Sequence, residues 1–147
     1  MIGVILVAAL MVPCHAGGSA AFPTPDNSCS PGAYDRLTVR EACTPGKRRS
    51  TPVAVRRTVL ARYGVPGWSG RDGEIDHRVP DWAGGKESVG NLWPERGPIP
   101  NRKDRLESYA RLRVCVDGDM RLRTARRLFL SEWPQAWEFY EKRGWPR

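Results

Sequence analysis

Proline and glycine set the first limit on what this chain can become. Thirteen Pro and 15 Gly among 147 residues shorten helices and strands, because proline withholds a backbone donor and glycine keeps its conformational freedom. The pattern points to a loop-rich α+β fold. A chain of this length fits one domain with a tail. Its 40% apolar content and six Trp supply a core and exclude a wholly disordered polymer. Neither a collagen nor a coiled-coil repeat is present. The 24 Lys and Arg outnumber the 16 Asp and Glu, for a net charge of +8. That balance favours an acidic partner (nucleic acid, anionic lipid or anionic glycan) without choosing among them.

Met1 to Val12 is almost continuously apolar. About a dozen apolar residues fall short of the roughly 20 that cross a bilayer core, so no stable membrane span is expected. The length fits the central region of a secretory signal, and small residues beyond it offer cleavage at Ala16 or Ala20–Ala21, although no Lys or Arg follows Met1. Residues 1–21 are therefore read as a signal peptide, and the protein as secreted or periplasmic. Residues 22–40, with Pro23, Pro25 and Pro31, read as an extended and loosely held segment, and 41–147 as the folded domain. On this reading Cys14 and His15 leave with the signal. Cys29, Cys43 and Cys115 remain, an odd number that leaves one thiol free or bridged between molecules if any pair forms. No CxxC spacing is present, which argues against a zinc knuckle.

Within the domain, Ser50 or Thr51 stands where a helix cap belongs, with Pro52 in the first turn. Val55, Val59, Leu60 and Tyr63 recur at helical spacing, and Gly64 ends the run. Glu74 to Pro80 alternates as a short strand, with Ile75, His77 and Val79 on one face. Trp82 to Lys86 is a turn, and Asn91 to Glu95 reads as a second strand. Asn101 occupies an N-cap position, after which Leu106, Tyr109, Ala110 and Leu112 continue a helix that Gly118 stops. Leu122 to Tyr140 is amphipathic and interrupted by Pro134, which predicts a kink or two abutting helices. Its aromatic residues are expected in the core.

Asp76, His77, Asn91 and Asn101 are the residues with chemistry to offer. A strand hairpin packed on a helix would bring Asp76 and Asn101 together, with His77 beside them. Asp and Asn supply hard oxygen ligands of the kind that suit Mg²⁺ or Mn²⁺, and an imidazole takes a proton from water. These parts suit metal-assisted hydrolysis of a phosphodiester, with the basic surface holding the polyanion. On spacing alone, however, an Asp-His pair is more often structural than catalytic.

Residues 74–107, EIDHRVPDWAGGKESVGNLWPERGPIPNRKDRLE, resemble the ββα-metal (His-Me) finger of HNH endonucleases. The likeness is to a branch of small, often exported bacterial and phage proteins with a DH…GG…NLWPE…KDxLE pattern. It extends to Ala42–Gly46 (ACTPG), to Val114–Gly118 (VCVDG) and to the helix through Trp133 and Tyr140, roughly residues 40–140 in all. The resemblance implies a ββα core over about residues 74–115, with C-terminal helices over about residues 121–142.

By position, the resemblance implies that His77 is the general base and Asp76 a metal ligand. Asn91 matches the Asn that braces the loop and orients the histidine. Asn101 takes the place of the second metal ligand, where this branch often has His. An Asn there makes the site richer in oxygen and shifts preference from Zn²⁺ or Ni²⁺ towards Mg²⁺ or Mn²⁺. Asp104 is a rival ligand one turn into the helix. Arg78, Lys103 and Arg105 are phosphate-contact candidates. Cys43 and Cys115 fall in the two matching flanks, so the resemblance implies one disulfide between them. The expected activity is cleavage of DNA, or of RNA, with little sequence preference. The competing expectation is a non-catalytic basic module that uses the same scaffold to bind nucleic acid or another polyanion.

Overall fold

The computed structural model describes residues 13–46, 50–131 and 133–144. The apolar run Met1–Val12, on which the signal reading rests, lies outside the described residues. Among those described, the architecture is α+β, with two small antiparallel sheets and five α-helices. Strands β1 (Gly17–Ser19) and β2 (Phe22–Thr24) form the first sheet. Helices α1 (Val39–Cys43) and α2 (Val53–Arg62) follow. Strands β3 (Gly73–His77) and β4 (Leu92–Arg96) make the second sheet, with one 3₁₀ turn at Asp81–Ala83 between them. Helices α3 (Arg102–Cys115), α4 (Leu122–Leu130) and α5 (Trp133–Lys142) complete the order.

The expected strand–turn–strand–helix passage is present, and local chemistry explains its limits. Asn101 caps α3 by accepting from the amides of Lys103 and Asp104, while the Asp104 carboxylate accepts from the Asn101 amide at 2.7 Å. This reciprocal box satisfies amides that an open helix end would leave bare. Pro134 sits in the first turn of α5, where its missing N–H breaks no helical bond. The C-terminal run therefore divides into two abutting helices. Helix α2 starts at Val53, so Pro52 is its N-cap instead of part of its first turn, and neither Ser50 nor Thr51 caps it. The Thr51 hydroxyl instead donates to Glu87 at 2.7 Å.

Two apolar clusters hold the hairpin between them. On one side, Val59 of α2 and its C-cap Tyr63 pack with Leu92 and Trp93 of β4 and with both Cys14 and Cys29. On the other, Leu106, Ala110 and Val114 of α3 meet Phe129 of α4 and Trp133 and Trp137 of α5. Phe129, Trp133 and Trp137 are thus core residues, as their spacing predicts, with Tyr140 packed partly buried against them and Phe139 exposed. The Trp133 indole also donates to the Pro23 carbonyl at 2.9 Å, fastening β2 to this cluster.

Cys43 and Cys115 form the disulfide that the resemblance implies, joining the end of α1 to the end of α3. A second disulfide, Cys14–Cys29, corrects the cysteine reading, because it leaves no free thiol. Cys14 is buried, and its amide donates to the Arg62 carbonyl at 2.9 Å. The His15 amide donates to Asp26, whose pKa is lowered to about 2 by the Ser28 hydroxyl first and by that amide next. Cys14 and His15 are therefore tied into the fold. Cleavage at Ala16 or Ala20–Ala21 would remove half of a buried bridge. Residues 30–37 are extended but not loosely held. Gly32 and Ala33 donate to the Gly90 carbonyl, Asp35 donates to Gly84, and Lys86 donates to Ala33.

Among the described residues no helix is long and apolar enough to cross a membrane. Two disulfides accord with an oxidising compartment such as the periplasm or the cell exterior. In non-reduced protein, thiol labelling should find none of the four cysteines reactive. Replacing Cys43 and Cys115 together by Ser should lower the unfolding free energy by about 2–5 kcal/mol in a denaturant titration. An unchanged unfolding midpoint would contradict this pairing.

Candidate functional site

Adjacent strand residues point to opposite faces, so β3 presents Asp76 and His77 in different directions. Glu74 shares the Asp76 face, and the register sets it directly opposite Glu95 of β4. The chain from Arg78 to Asn91 must then turn back without wandering. Asn91, fully buried, fixes it: its carbonyl oxygen accepts from the Val79 amide at 2.9 Å, and its amide donates to the Val79 and Lys86 carbonyls. The paired glycines of this turn follow from sterics. Gly84 has φ +95°, and a Cβ on Gly85 would lie 1.8 Å from the Val79 carbonyl oxygen.

His77 gains its orientation from a residue the sequence reading did not single out. Its Nε2 lies 2.8 Å from Oε1 of Glu87, and the other oxygen of Glu87 accepts from the Thr51 hydroxyl. A carboxylate at Nε2 favours the tautomer with its proton there and leaves Nδ1 as the acceptor. The imidazole is thus held from the α2 side of the domain while its ring lines a cleft of about 700 Å³. Asp76, Asp104, Glu107 and Arg111 line the same cleft.

Beneath Asp76 lies a buried cation. The ammonium of Lys103, 1% exposed, donates to Oδ2 of Asp76 at 2.5 Å, to the His77 carbonyl at 2.7 Å and to Glu107 at 2.5 Å. Burial opposes the charge on Lys103, but Asp76, Glu107 and Glu95 outweigh it and raise its pKa. Burial likewise opposes the charge on Asp76, and Lys103 with Glu95 holds it below the usual carboxylate value. Glu95 goes the other way. Burial first, then the charge of Asp76, push it up to about 10. Burial and Asp76 raise Glu107 to about 7 in spite of Lys103.

Several expectations are corrected by this arrangement. The Asn101 oxygen is engaged in the cap of α3, and Asn101 lines a different cleft from the one lined by Asp76. Lys103 and Arg78 are both buried and cannot reach a bound phosphate backbone. Arg78 donates to the Ser30, Phe129 and Leu130 carbonyls, at 2.8, 3.2 and 2.5 Å. Arg105 is exposed, but it lies over the Trp137 ring on the side of α3 away from His77, lining that second cleft. Arg111 is the exposed arginine that lines the His77 cleft. His15 lines neither cleft.

The donor set around Asp76 suits a hard divalent cation. Carboxylate oxygens of Glu74, Asp76 and Glu95 lie within 4.8 Å of one another, and both oxygens of buried Glu95 lack a protein donor. Oxygen-only surroundings of this kind suit hard cations better than soft ones. Of the residues the sequence reading missed, Glu107 was visible as the helical i+4 partner of Lys103. Glu87 carried no local signal. No protein-family model, curated protein or solved structure matches the chain.

Two outcomes follow from the buried charges. Lys103→Met should cost about 3–5 kcal/mol, since it strands carboxylates in a dry site, and a denaturant titration would register the loss. Glu107 has a raised pKa when folded, so the native state binds the extra proton. Stability of cation-free protein should therefore fall as pH rises from about 4.5 to about 7. Glu107→Gln should lessen that fall in melts taken across the window, and the remainder belongs to Glu95, whose raised value acts in the same direction.

Proposed function

We propose that this chain is a metal-dependent HNH-type endonuclease built on a ββα-metal finger, hydrolysing phosphodiester bonds in DNA, and in RNA where it is offered, with little sequence specificity. The observation that carries the reading is the His77–Glu87 pair at the edge of the cleft, adjoining Asp76 and facing α3. His77 takes the proton of the attacking water at Nδ1, while Glu87 holds the ring and stabilises the imidazolium that forms. Asp76 is the cation ligand nearest that base, and Lys103 keeps its carboxylate ionised and fixed. A divalent ion, Mg²⁺ or Mn²⁺ in preference to Zn²⁺ or Ni²⁺, supplies charge stabilisation at the phosphate oxygens and the leaving group when bound.

Arg111, at the cleft, is suited to receive a phosphate oxygen, and the net charge of +8 draws in the polyanion. Asn91 acts as a brace: it pins the loop that carries Glu87 to the strand that carries His77. Contacts of this sort read the phosphate backbone and not the base edges, hence the low sequence specificity. Export through the apolar segment ahead of Cys14 fits the same picture, since both disulfides require oxidation.

The test is nicking of supercoiled plasmid by the purified protein with Mg²⁺ or Mn²⁺. His77→Ala should lower the rate by about 10²–10⁴-fold, the usual contribution of a general base. Glu87→Gln should retain part of the activity and shift the pH profile. Undiminished nicking by His77→Ala would remove the assignment. Plasmid binding without cleavage in any divalent metal would favour the basic binding module instead.

A further inference from the structure

The resemblance assigns the cation to Asp76 and Asn101, but those two residues line different clefts and Asn101 caps α3. The question of what else binds it is answered on the sheet. Glu74 and Glu95 are cross-strand partners, and Asp76 is the next residue on the same face of β3. Ionised together they would repel across the sheet, so this placement calls for a proton or a cation among the carboxyl groups. Glu95 sharpens the point: it is 1% exposed, and neither of its carboxyl oxygens accepts a hydrogen bond. Lys103 answers only part of the charge, because its ammonium reaches Asp76 and Glu107 and Asp76 keeps a second oxygen.

From this geometry we propose that Glu74, Asp76 and Glu95 together form the binding site for a hard divalent cation, with Glu95 as its innermost ligand. Two oxygens on one ion cannot stand further apart than twice the metal–oxygen distance, about 4.2 Å for Mg²⁺ and about 4.8 Å for Ca²⁺. The three carboxylates already lie within 4.8 Å of one another, so a small side-chain adjustment closes the cage on the smaller ion. Three carboxylates leave the remaining positions to water or phosphate oxygen, as an octahedral oxygen-liganded ion requires. Asn101 stays outside as a helix cap. The proposal deepens the nuclease reading and depends on it only for the use made of the cation; binding can be measured without cleavage.

The experiment uses EDTA-treated full-length protein and Mn²⁺ as the probe, with free Mn²⁺ counted by its paramagnetic resonance signal. Wild type should bind one Mn²⁺, and pulsed spectra should show no nitrogen of a coordinated imidazole. Glu74→Gln and Glu95→Gln should each weaken binding by at least about tenfold, since even an outer-shell change typically costs about 10–100-fold. Asn101→Ala should bind as wild type does. Circular dichroism and melts monitor folding, and the partly exposed Glu74 carries the test if Glu95→Gln does not fold. Wild-type affinity in both glutamine variants, loss in Asn101→Ala, or a coordinated nitrogen would each overturn the proposal. So would absence of Mn²⁺ binding by wild type, which would leave a proton shared between Asp76 and Glu95 as the neutralising charge. Mn²⁺ held by these carboxylates without any nicking would overturn the nuclease reading and leave this site standing.

Discussion

The ammonium of Lys103 is enclosed in the protein, yet it keeps its charge because oxygens from separate parts of the chain converge on it. One comes from the Asp76 carboxylate, one from the His77 carbonyl and one from Glu107 on its own helix. A charge taken out of water is tolerated only with partners of this quality. The consequence is positional. Helix α3 cannot slide along the hairpin, and Asp76 cannot turn away, without exposing a bare charge to an apolar interior. The apolar clusters on either side supply the burial; Lys103 supplies the register between helix and sheet.

The other half of the site is set by hydrogen bonds instead of charge. Asn91 and Arg78 are both buried, and both address main-chain groups. Together they turn the 78–91 connection into a rigid frame, in which Glu87 is delivered to His77 from a loop. A loop position holds a functional group well only when its backbone is pinned in this manner. The histidine is consequently defined from two directions, by its strand and by a carboxylate that is itself held by Thr51.

Much of this was legible in the sequence. The period-two run through Glu74 and His77, the cap at Asn101, the stop at Gly118 and the break at Pro134 each have a local cause, so each could be read locally. The β1–β2 sheet could not, because Gly17–Ser19 has no apolar alternation and its pairing depends on contacts made far away. Asn101 misled for a specific reason: an Asn before a helix signals a cap and an oxygen ligand equally well, and here the cap claims the oxygen. Arg78 and Lys103 misled because a buried cation and a surface cation look the same on the page. What separates them is the depth of the fold above them, which arises from residues such as Phe129 and Leu130 some 50 positions further on. Cys14 belongs with them: proximity to an apolar run made it look expendable, whereas its partner in space is Cys29.

Arg78 leaves one further consequence. Its guanidinium grips the carbonyls of Ser30, Phe129 and Leu130, so it recognises where the backbone runs and is indifferent to which side chains that backbone carries. Three distant segments are therefore free to drift in composition, as far as this contact is concerned, while the arginine that ties them is not. In descendants of this sequence the constraint would surface as one stubborn arginine among changeable neighbours. An observer ranking positions by their variability would be tempted to take for a catalytic group what is in fact a structural knot.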